Sequence, residues 1–223
     1  MPDSELLSNY DALQATMMEE SCIQVDNNDN IIGPISKFIA HREEGVLHRA
    51  FSVLIFNSEN NLLIQQRSSD KITFPGYWAN SCCSHPLFLE NELTSNSSNG
   101  VGNAAIRKLP QELGISTSQI NPEDFKLLGR FEYSSKTDGG WIEHEIDYVI
   151  AIHIDVEINP NLNEVSNYKW LSKKELDEFC NNAEHLMAPW FLAIKELFLE
   201  KWWPKNKFDY PEPSENIFFK GEI

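Results

Sequence analysis

Hydrophobic and polar residues follow two different spacings along this chain. Near its start, Leu6, Tyr10, Leu13 and Met17 recur at helical spacing, which predicts an acidic amphipathic helix over residues 5–20. Further on, short runs of residues either are apolar and β-prone or alternate between apolar and polar, and both patterns predict strands. The predicted strands are two short ones within 22–32 joined by the turn-rich Asn27–Asn30, then 49–56, 62–67, 125–133, 143–155 and 164–171.

Helical segments are fewer, and each is recognised by its ends. Residues 104–113 precede Gly114, a residue favoured just past a helix end. Pro110 within this segment predicts a kink or a short helix, because proline lacks a backbone donor and clashes with the preceding turn. Residues 88–103 are rich in Asn, Ser and Gly and predict a surface loop, and Pro75-Gly76 predicts a turn.

Two further helices are predicted near the end of the chain. Ser172 and Glu175 have the spacing of a capping box and open a helix that reaches Cys180. Pro189 suits the first turn of a last helix, which we expect to run through Trp203.

This order of strands and helices limits the possible fold classes. Strands separated by a few helices indicate one α/β or α+β domain, and 223 residues can form one core without requiring two domains. We expect a helical extension over residues 1–21, a main domain over 22–203 and a loosely held, Pro-rich tail over 204–223.

The charge and the cysteines exclude several classes of protein. A net charge of −16 argues against nucleic-acid binding, which neutralises phosphates with Lys and Arg. No apolar run approaches the roughly 20 residues of a membrane span, and the first residues lack the pattern of a secretory signal. Cys22, Cys82, Cys83 and Cys180 suit reduced thiols better than a disulfide framework. We therefore expect a cytoplasmic, monomeric protein with neither a nucleic-acid partner nor membrane insertion.

Candidate metal ligands are spread along the chain. Glu143 and Glu145 point to one face of a predicted strand and repel each other unless a cation lies between them. With His41, His48 and His85 they form a nitrogen and oxygen set that suits zinc, manganese or iron better than magnesium alone. No compact spacing links the histidines. A cation site and ordinary hydrogen-bonded side chains therefore remain open alternatives.

Other residues predict acid–base chemistry and anion binding. Cys83, two residues before His85, is either a reactive thiol or an inert small apolar group. Cys82 points to the opposite face if this stretch is extended. The basic residues near these segments can either clamp an anion or remain solvated; they are Lys37, Arg67 and Lys71.

Five stretches in a fixed order resemble one family. They are Leu47–Ser52, Phe74–Gly76, Cys82–Pro86, Gln111–Ile115 and Glu143–Tyr148. Together they resemble the type I isopentenyl-diphosphate isomerases, a branch of the Nudix superfamily, over about residues 22–203. The resemblance implies a single-domain Nudix-like α/β/α sandwich with a mixed β-sheet. It also implies a small prenyl diphosphate substrate, with isopentenyl and dimethylallyl diphosphates interconverted through a tertiary carbocation.

The resemblance also implies a role for each matching residue. The ligands of one divalent ion (zinc, manganese or magnesium) would be His41, His48, His85, Glu143 and Glu145. The catalytic residues would be Cys83 and Glu145 on opposite faces of the substrate, Tyr133 near the acid and Trp190 facing the carbocation. The diphosphate contacts would be Lys37, Arg67 and Lys71. Glu112 would hold the magnesium ion that the diphosphate brings.

Two other functions compete with this one. A Nudix hydrolase would need several carboxylates where this chain has Arg107–Glu112 with a single acid, which argues against it. A non-catalytic binding domain is the second, if Ile142 narrows the pocket or Pro110 displaces Glu112. The stretch between His41 and His48 holds only six residues, which puts His41 in question as a ligand.

Overall fold

Ten strands form one mixed sheet within the residues that the computed structural model describes, namely 6–94, 97–118 and 120–223. In chain order the strands are β1 Ser21–Val25, β2 Ile31–Ser36, β3 His48–Phe56, β4 Leu62–Arg67, β5 Trp78–Asn80, β6 Cys82–Ser84, β7 Lys126–Thr137, β8 Trp141–His153, β9 Val165–Leu171 and β10 Ile217–Glu222. All seven predicted strands are confirmed. The additional strands are β5, β6 and β10.

The helices lie outside this sheet. They are α1 Ala12–Met17, α2 Lys37–Ala40, α3 Ser97–Leu113, α4 Lys173–Cys180 and α5 Pro189–Ile194, which continues as a π-helical turn over Lys195–Leu199. Short 3₁₀ turns occupy Pro122–Asp124 and Asp138–Gly140. No helix in the described part of the chain is long and apolar enough to cross a membrane.

The strand pairing brings distant residues into register. Strands β3 and β8 run parallel at the centre of the sheet, with His48 opposite Glu145. Strand β7 lies antiparallel to β8 and places Tyr133 opposite Glu145. Strand β6 runs along β3 and places Cys83 opposite Ser52. Neighbouring strands therefore carry these side chains to one region of the sheet.

Helices cover both faces of the sheet, as the predicted α/β/α arrangement requires. All nine residues of β3 are buried, and alternate ones enter two core clusters. Val101 and Leu109 of α3 pack into the first cluster, and Phe191 and Ile194 of α5 pack into the second. Full burial of such a side chain stabilises the fold by about 1.5–3 kcal/mol, so the two helices hold the central strand from both sides.

The N-terminal helix is shorter than predicted. It spans Ala12–Met17 and begins at Asp11, whose carboxylate accepts hydrogen bonds from the backbone N–H groups of Leu13 and Gln14. The predicted apolar face is also wrong at Leu13, which is 61% exposed, whereas Gln14 is buried. A polar residue thus occupies an inward position, which an apolar pattern cannot reveal.

Helix α3 begins earlier than predicted. Residues 97–103 were expected in a surface loop but form its first turns, and it continues through Pro110 to Leu113, so the short helix predicted there is wrong. The glycines that suggested a loop allow close packing instead. A Cβ on Gly100 would lie 2.3 Å from the carbonyl oxygen of Glu92. The predicted helix end is confirmed, because Gly114 follows with a φ of 64°.

Predictions for the last third of the chain are partly confirmed. Ser172 and Glu175 form the predicted capping box of α4, and Pro189 opens α5. The last helix ends at Leu199, before Trp202, and its final turn is π-helical. The loosely held tail is wrong for its final part, since β10 pairs in parallel with β7. This strand satisfies backbone groups at the sheet edge, which a Pro-rich, charged composition does not predict.

Candidate active site and metal-binding group

Five buried side chains from four places in the chain converge on one point. His41 follows α2, His48 begins β3, His85 follows β6, and Glu143 and Glu145 lie on β8. The ring centroids of the three histidines are 4.8, 4.9 and 4.8 Å apart. One nitrogen or oxygen atom from each of the five residues lies within 4.8 Å of the others. The group formed by these five residues, the His₃Glu₂ group, is therefore a candidate metal site.

The tautomers of two histidines prepare them for metal binding. Nδ1 of His41 lies 2.7 Å from the carbonyl oxygen of Lys37, and Nδ1 of His48 lies 2.7 Å from that of Val46. A carbonyl oxygen only accepts, so each Nδ1 carries the proton and each Nε2 presents a lone pair. Nε2 of His48 is buried and has no hydrogen-bond partner within the described chain. A bound cation would supply that partner.

The distances within the group suit a small divalent ion. His41 Nε2 and Glu143 Oε2 are 2.8 Å apart, and His85 Nε2 and Glu145 Oε1 are 2.6 Å apart. The wider pairs, from His48 Nε2 to Glu145 Oε1 and from His85 Nε2 to Glu143 Oε2, measure 3.8 and 3.9 Å. Ligands at about 2.1 Å from one ion lie roughly 3 Å apart when adjacent and roughly 4 Å when opposite. The residues therefore fit such an ion.

Burial shifts the ionisation of the group in the direction that metal binding needs. It lowers the pKa of His48 to about 3 and, with the neighbouring imidazoles, that of His85 well below its usual value. Neutral imidazoles are the form that binds metal. Burial, Glu143 and Asp147 raise the pKa of Glu145 well above its usual value. A cation beside the two carboxylates would offset this repulsion and hold both ionised.

The four residues with implied catalytic roles line one pocket together with His41, His85 and Glu143 of the His₃Glu₂ group; they are Cys83, Tyr133, Glu145 and Trp190. The buried hydroxyl of Tyr133 donates to Glu145 Oε2 at 2.6 Å. The indole N–H of Trp190 donates to Asn80 Oδ1 at 3.1 Å, which fixes the ring against the pocket. A buried aromatic face so held can stabilise a cation without reacting with it.

The surroundings of Cys83 favour the neutral form of its thiol. Burial raises its pKa to about 12, although the guanidinium of Arg67 acts in the opposite direction. Nη1 of Arg67 lies 3.6 Å from the sulfur. Cys82 packs into the core cluster on the opposite face of the sheet, which confirms that only one of the adjacent thiols faces the pocket.

Basic side chains line the pocket, including the three predicted to bind diphosphate, Lys37, Arg67 and Lys71. Arg67 also donates hydrogen bonds to the carbonyl oxygens of Thr73 and Phe74, which hold its guanidinium in the wall. Lys71 lies 2.5 Å from Glu164, and Lys37 lies 3.4 Å from Glu20. In a chain of net charge −16, this local clustering of positive charge is what an anionic substrate requires.

Glu112 is near the pocket but is not among its lining residues. Its carboxylate accepts a hydrogen bond from Gln65 Nε2 at 3.3 Å and lies 3.5 Å from Lys108 Nζ. Pro110 does not eject it, because α3 continues to Leu113 and Glu112 is 3% exposed. A role in holding a second ion stays a prediction.

Several lining residues escaped the sequence analysis. Lys108 faces the pocket from α3, and its spacing of four from Glu112 on one helix face could have indicated it. Ser84 and Ser52 also line the pocket, and the hydroxyl of Ser52 donates to Asp147. Burial raises the pKa of Asp147 to about 7. Asp147 continues the alternation of Glu143 and Glu145, which was the available signal.

Two features were expected to disturb the site, Ile142 on β8 and the short stretch between His41 and His48, and neither does so. Ile142 is not among the lining residues, so the expectation that it narrows the pocket is wrong. It points away from Glu143 and packs beside Gly45, where an added Cβ would lie 2.8 Å from Ile142 Cγ2. Gly45, with a φ of 71°, lies in the short turn that still brings His41 and His48 together.

Comparison with known proteins agrees with this geometry. Residues 46–191 match the NUDIX domain family. Isopentenyl-diphosphate Delta-isomerase 1 of Mesocricetus auratus is 47% identical over 203 residues, which cover 88% of this chain and 89% of that one. The chloroplastic isopentenyl-diphosphate Delta-isomerase II of Arabidopsis thaliana is 45% identical over 207 residues, covering 88% and 73%. The crystal structure of DR0079 from Deinococcus radiodurans has a TM-score of 0.55 at 20% identity, covering 80% of this chain and 99% of that one, and shares the fold.

The mixed sheet between helices and the matching domain over most of the chain define a Nudix-fold protein with a buried His₃Glu₂ group. With relatives 45–47% identical over 88% of its length, the chain belongs to the isopentenyl-diphosphate Delta-isomerase family. This confirms the resemblance and the α+β fold class predicted from the sequence.

Proposed function

We propose that this protein interconverts isopentenyl and dimethylallyl diphosphates. The observation that carries the proposal is the His₃Glu₂ group at a pocket lined by four of its members, by Cys83, Tyr133 and Trp190, and by basic side chains. Family membership supports the same activity, since the curated relatives bear the name of this isomerase.

The reaction moves one double bond by adding and removing a proton. The alkene electrons of isopentenyl diphosphate form a new C–H bond at the terminal carbon, which leaves a tertiary carbocation. Loss of a proton from C2 then returns the electrons to form the new double bond. An alkene is a poor base, so the proton donor must be well placed and water must be excluded.

In this proposal Cys83 and Glu145 supply and remove the two protons. They come from β6 and β8, on either side of β3, so a substrate lying over β3 would have one on each side. Tyr133 orients Glu145 through its 2.6 Å hydrogen bond. Trp190 presents its ring to the cation, where a nucleophile would be alkylated instead.

The metal and diphosphate ends of the pocket have separate tasks. One divalent ion would be held by His41, His48, His85, Glu143 and Glu145, and its charge would stabilise Glu145 as an anion. Zinc or manganese suits this nitrogen and oxygen donor set, and magnesium would accompany the diphosphate near Glu112. Lys37, Arg67, Lys71 and Lys108 would neutralise the diphosphate and position the alkene.

A Nudix hydrolase is the weaker alternative. Hydrolysis would need several carboxylates on α3 to hold metal ions against the diphosphate. Its last turns carry Lys108 and Glu112 as an ion pair instead, with Nζ and Oε1 3.5 Å apart. The His₃Glu₂ group instead lies around β3 and β8, near Cys83, which favours chemistry at the alkene.

The remaining assignments complete the proposal. The isomerase domain would span residues 22–203, with 1–21 as an extension and 204–223 as a tail. The protein would act on its small substrate as a monomer without nucleic acid, as its acidic charge suggests. A cytoplasmic location is the proposal for this chain, although the Arabidopsis relative carries the description chloroplastic.

Isotope incorporation tests the activity directly. The protein is incubated with isopentenyl diphosphate and magnesium in deuterated water, and labelled dimethylallyl diphosphate is the expected product. Cys83→Ala and Glu145→Gln should each abolish turnover while circular dichroism shows a retained fold. Cys180→Ala, a thiol on α4 away from the pocket, is the matched control and should keep full activity. Near-normal rates in both pocket variants, or phosphate release without isomerisation, would overturn the proposal.

A further inference from the structure

Glu164 connects three parts of the molecule beside the basic pocket. It directly precedes β9 and is 4% exposed. Its Oε2 atom lies 2.5 Å from Lys71 Nζ, and its backbone carbonyl accepts from the N–H of Ser68, in the loop that carries Lys71. One residue therefore holds both the ammonium group of Lys71 and the backbone leading to it.

The second oxygen of this carboxylate is held from the N-terminal helix. Gln14 of α1 donates through Nε2 to Glu164 Oε1 at 3.3 Å. The same amide nitrogen lies 3.2 Å from the carbonyl oxygen and 2.9 Å from the side-chain oxygen of Asn163. Gln14 is 4% exposed and lines the pocket, so its contacts lie inside the site rather than on the surface.

Lys71 needs such support because burial and, to a lesser extent, the charge of Arg67 lower the pKa of its ammonium group. Arg67 and Lys108 line the same pocket, and a lysine carries its charge on a flexible four-carbon stem. Burial would raise the pKa of Glu164, but Lys71 and Lys108 outweigh burial and lower it to about 2. The carboxylate is therefore charged at neutral pH and can hold the ammonium group against this repulsion.

The segment after α1 supports a second pocket lysine in the same way. Glu20 Oε2 lies 3.4 Å from Lys37 Nζ, and the backbone carbonyl of Glu20 accepts from the N–H of Lys37 at 2.8 Å. Residues 14–20 thus reach two lysines that line the same pocket from different segments of the chain, one after β4 and one at the start of α2.

We infer that Gln14 and Glu164 are positioning residues of the diphosphate-binding part of the pocket. Glu164 fixes the ammonium group of Lys71, and Gln14 fixes Glu164, so the N-terminal helix helps to set the affinity for the substrate's diphosphate. This inference rests on the proposed isomerase function, because it gives Lys71 a diphosphate to bind.

A double-mutant cycle between Gln14 and Lys71 tests the connection. The isomerisation of isopentenyl diphosphate is measured for the wild type, Gln14→Leu, Lys71→Ala and the double variant. Gln14→Leu should raise KM about fivefold with kcat within about twofold, because it removes a hydrogen bond that acts through substrate binding rather than chemistry. In the Lys71→Ala background the same change should leave KM unaltered, because Gln14 acts through Lys71.

Controls separate this role from a general effect on the fold. Thr16→Ala changes an exposed residue of the same helix and should leave KM and kcat unchanged. If Gln14→Leu does not fold, Gln14→Ala, which fits any helix, replaces it under the same criteria. Three outcomes for the Gln14 variant would overturn the inference but not the proposed function. They are an unchanged KM, a loss confined to kcat, and an equal increase in KM in the Lys71→Ala background. Absence of turnover in the wild type would overturn the proposed function, and the inference with it.

Discussion

Tyr133→Phe is the most direct test of how the pocket controls Glu145. The substitution removes one hydroxyl, which donates to Glu145 Oε2 at 2.6 Å. The ring is 2% exposed and stacks on Phe131 with centroids 5.3 Å apart, so its packing remains in the variant. The change therefore removes a single hydrogen bond from the carboxylate that is proposed to transfer a proton.

The size of the effect follows from that bond. A hydrogen bond to a charged group contributes about 1.5–3 kcal/mol, and about 1.4 kcal/mol corresponds to a tenfold change in rate. If the bond orients Glu145 in the transition state, kcat should fall about tenfold to hundredfold. KM for isopentenyl diphosphate should change little, because the basic side chains that would bind the diphosphate are untouched.

Tyr148→Phe provides a matched control on the other face of the sheet. The Tyr148 hydroxyl also donates to a buried carboxylate, that of Asp29, and the ring is likewise 2% exposed. Deuterium incorporation measures kcat for both variants, and thermal unfolding monitors the fold. The control should lose stability but keep its kcat. A kcat for Tyr133→Phe within twofold of the wild type, or an equal loss in both variants, would refute the reasoning.

Three further outcomes are expected. His48→Asn removes a proposed metal ligand and should lower the affinity for metal by more than the roughly tenfold to hundredfold that the loss of an outer-shell partner costs. Mass spectrometry of the bound metal measures this loss. Chelation of the metal should lower the melting temperature of the wild type. The pKa of Glu164 is lower in the fold, at about 2, than its usual 4.5, so its ionised form stabilises the protein above about pH 4.5, and this stabilisation is lost as the pH falls through about 2. Urea unfolding at a series of pH values should show this loss of stability in the wild type and not in Glu164→Gln. Gly114→Ala should cost roughly 2 kcal/mol or more in urea, because an added Cβ would lie 2.2 Å from the carbonyl oxygen of Asn159 at a φ of 64°; an unchanged midpoint would contradict this.

Elements with a strong local signal were predictable. The alternation in β8 and the capping box of Ser172 and Glu175 act over a few residues, and both predictions are confirmed. The start of α3 was not predictable, because its glycines suggested a loop. The carbonyl of Glu92 approaches position 100 so closely that a Cβ would not fit, and this contact explains the glycine inside the helix.

The sequence indicated candidate site residues more readily than the residues that contact them in the fold. Glu143 and Glu145 share a face because they alternate along one strand. Gln14 carried no signal, since a glutamine in an amphipathic helix is normally on its polar face. Its role depends on Asn163 and Glu164, about 150 positions away along the chain.

The sequence by itself determined the chemical types of side chain, the strand spacing that pairs the two glutamates, and the family to which the order of motifs belongs. Only the tertiary structure decided that His41, His48 and His85 meet at those glutamates, that burial raises the pKa of Cys83, and that Gln14 reaches the pocket. The physical reason is the distance along the chain over which each interaction acts. Helix caps and strand alternation depend on neighbours a few residues apart, whereas metal geometry, ionisation and burial depend on which distant segments pack together.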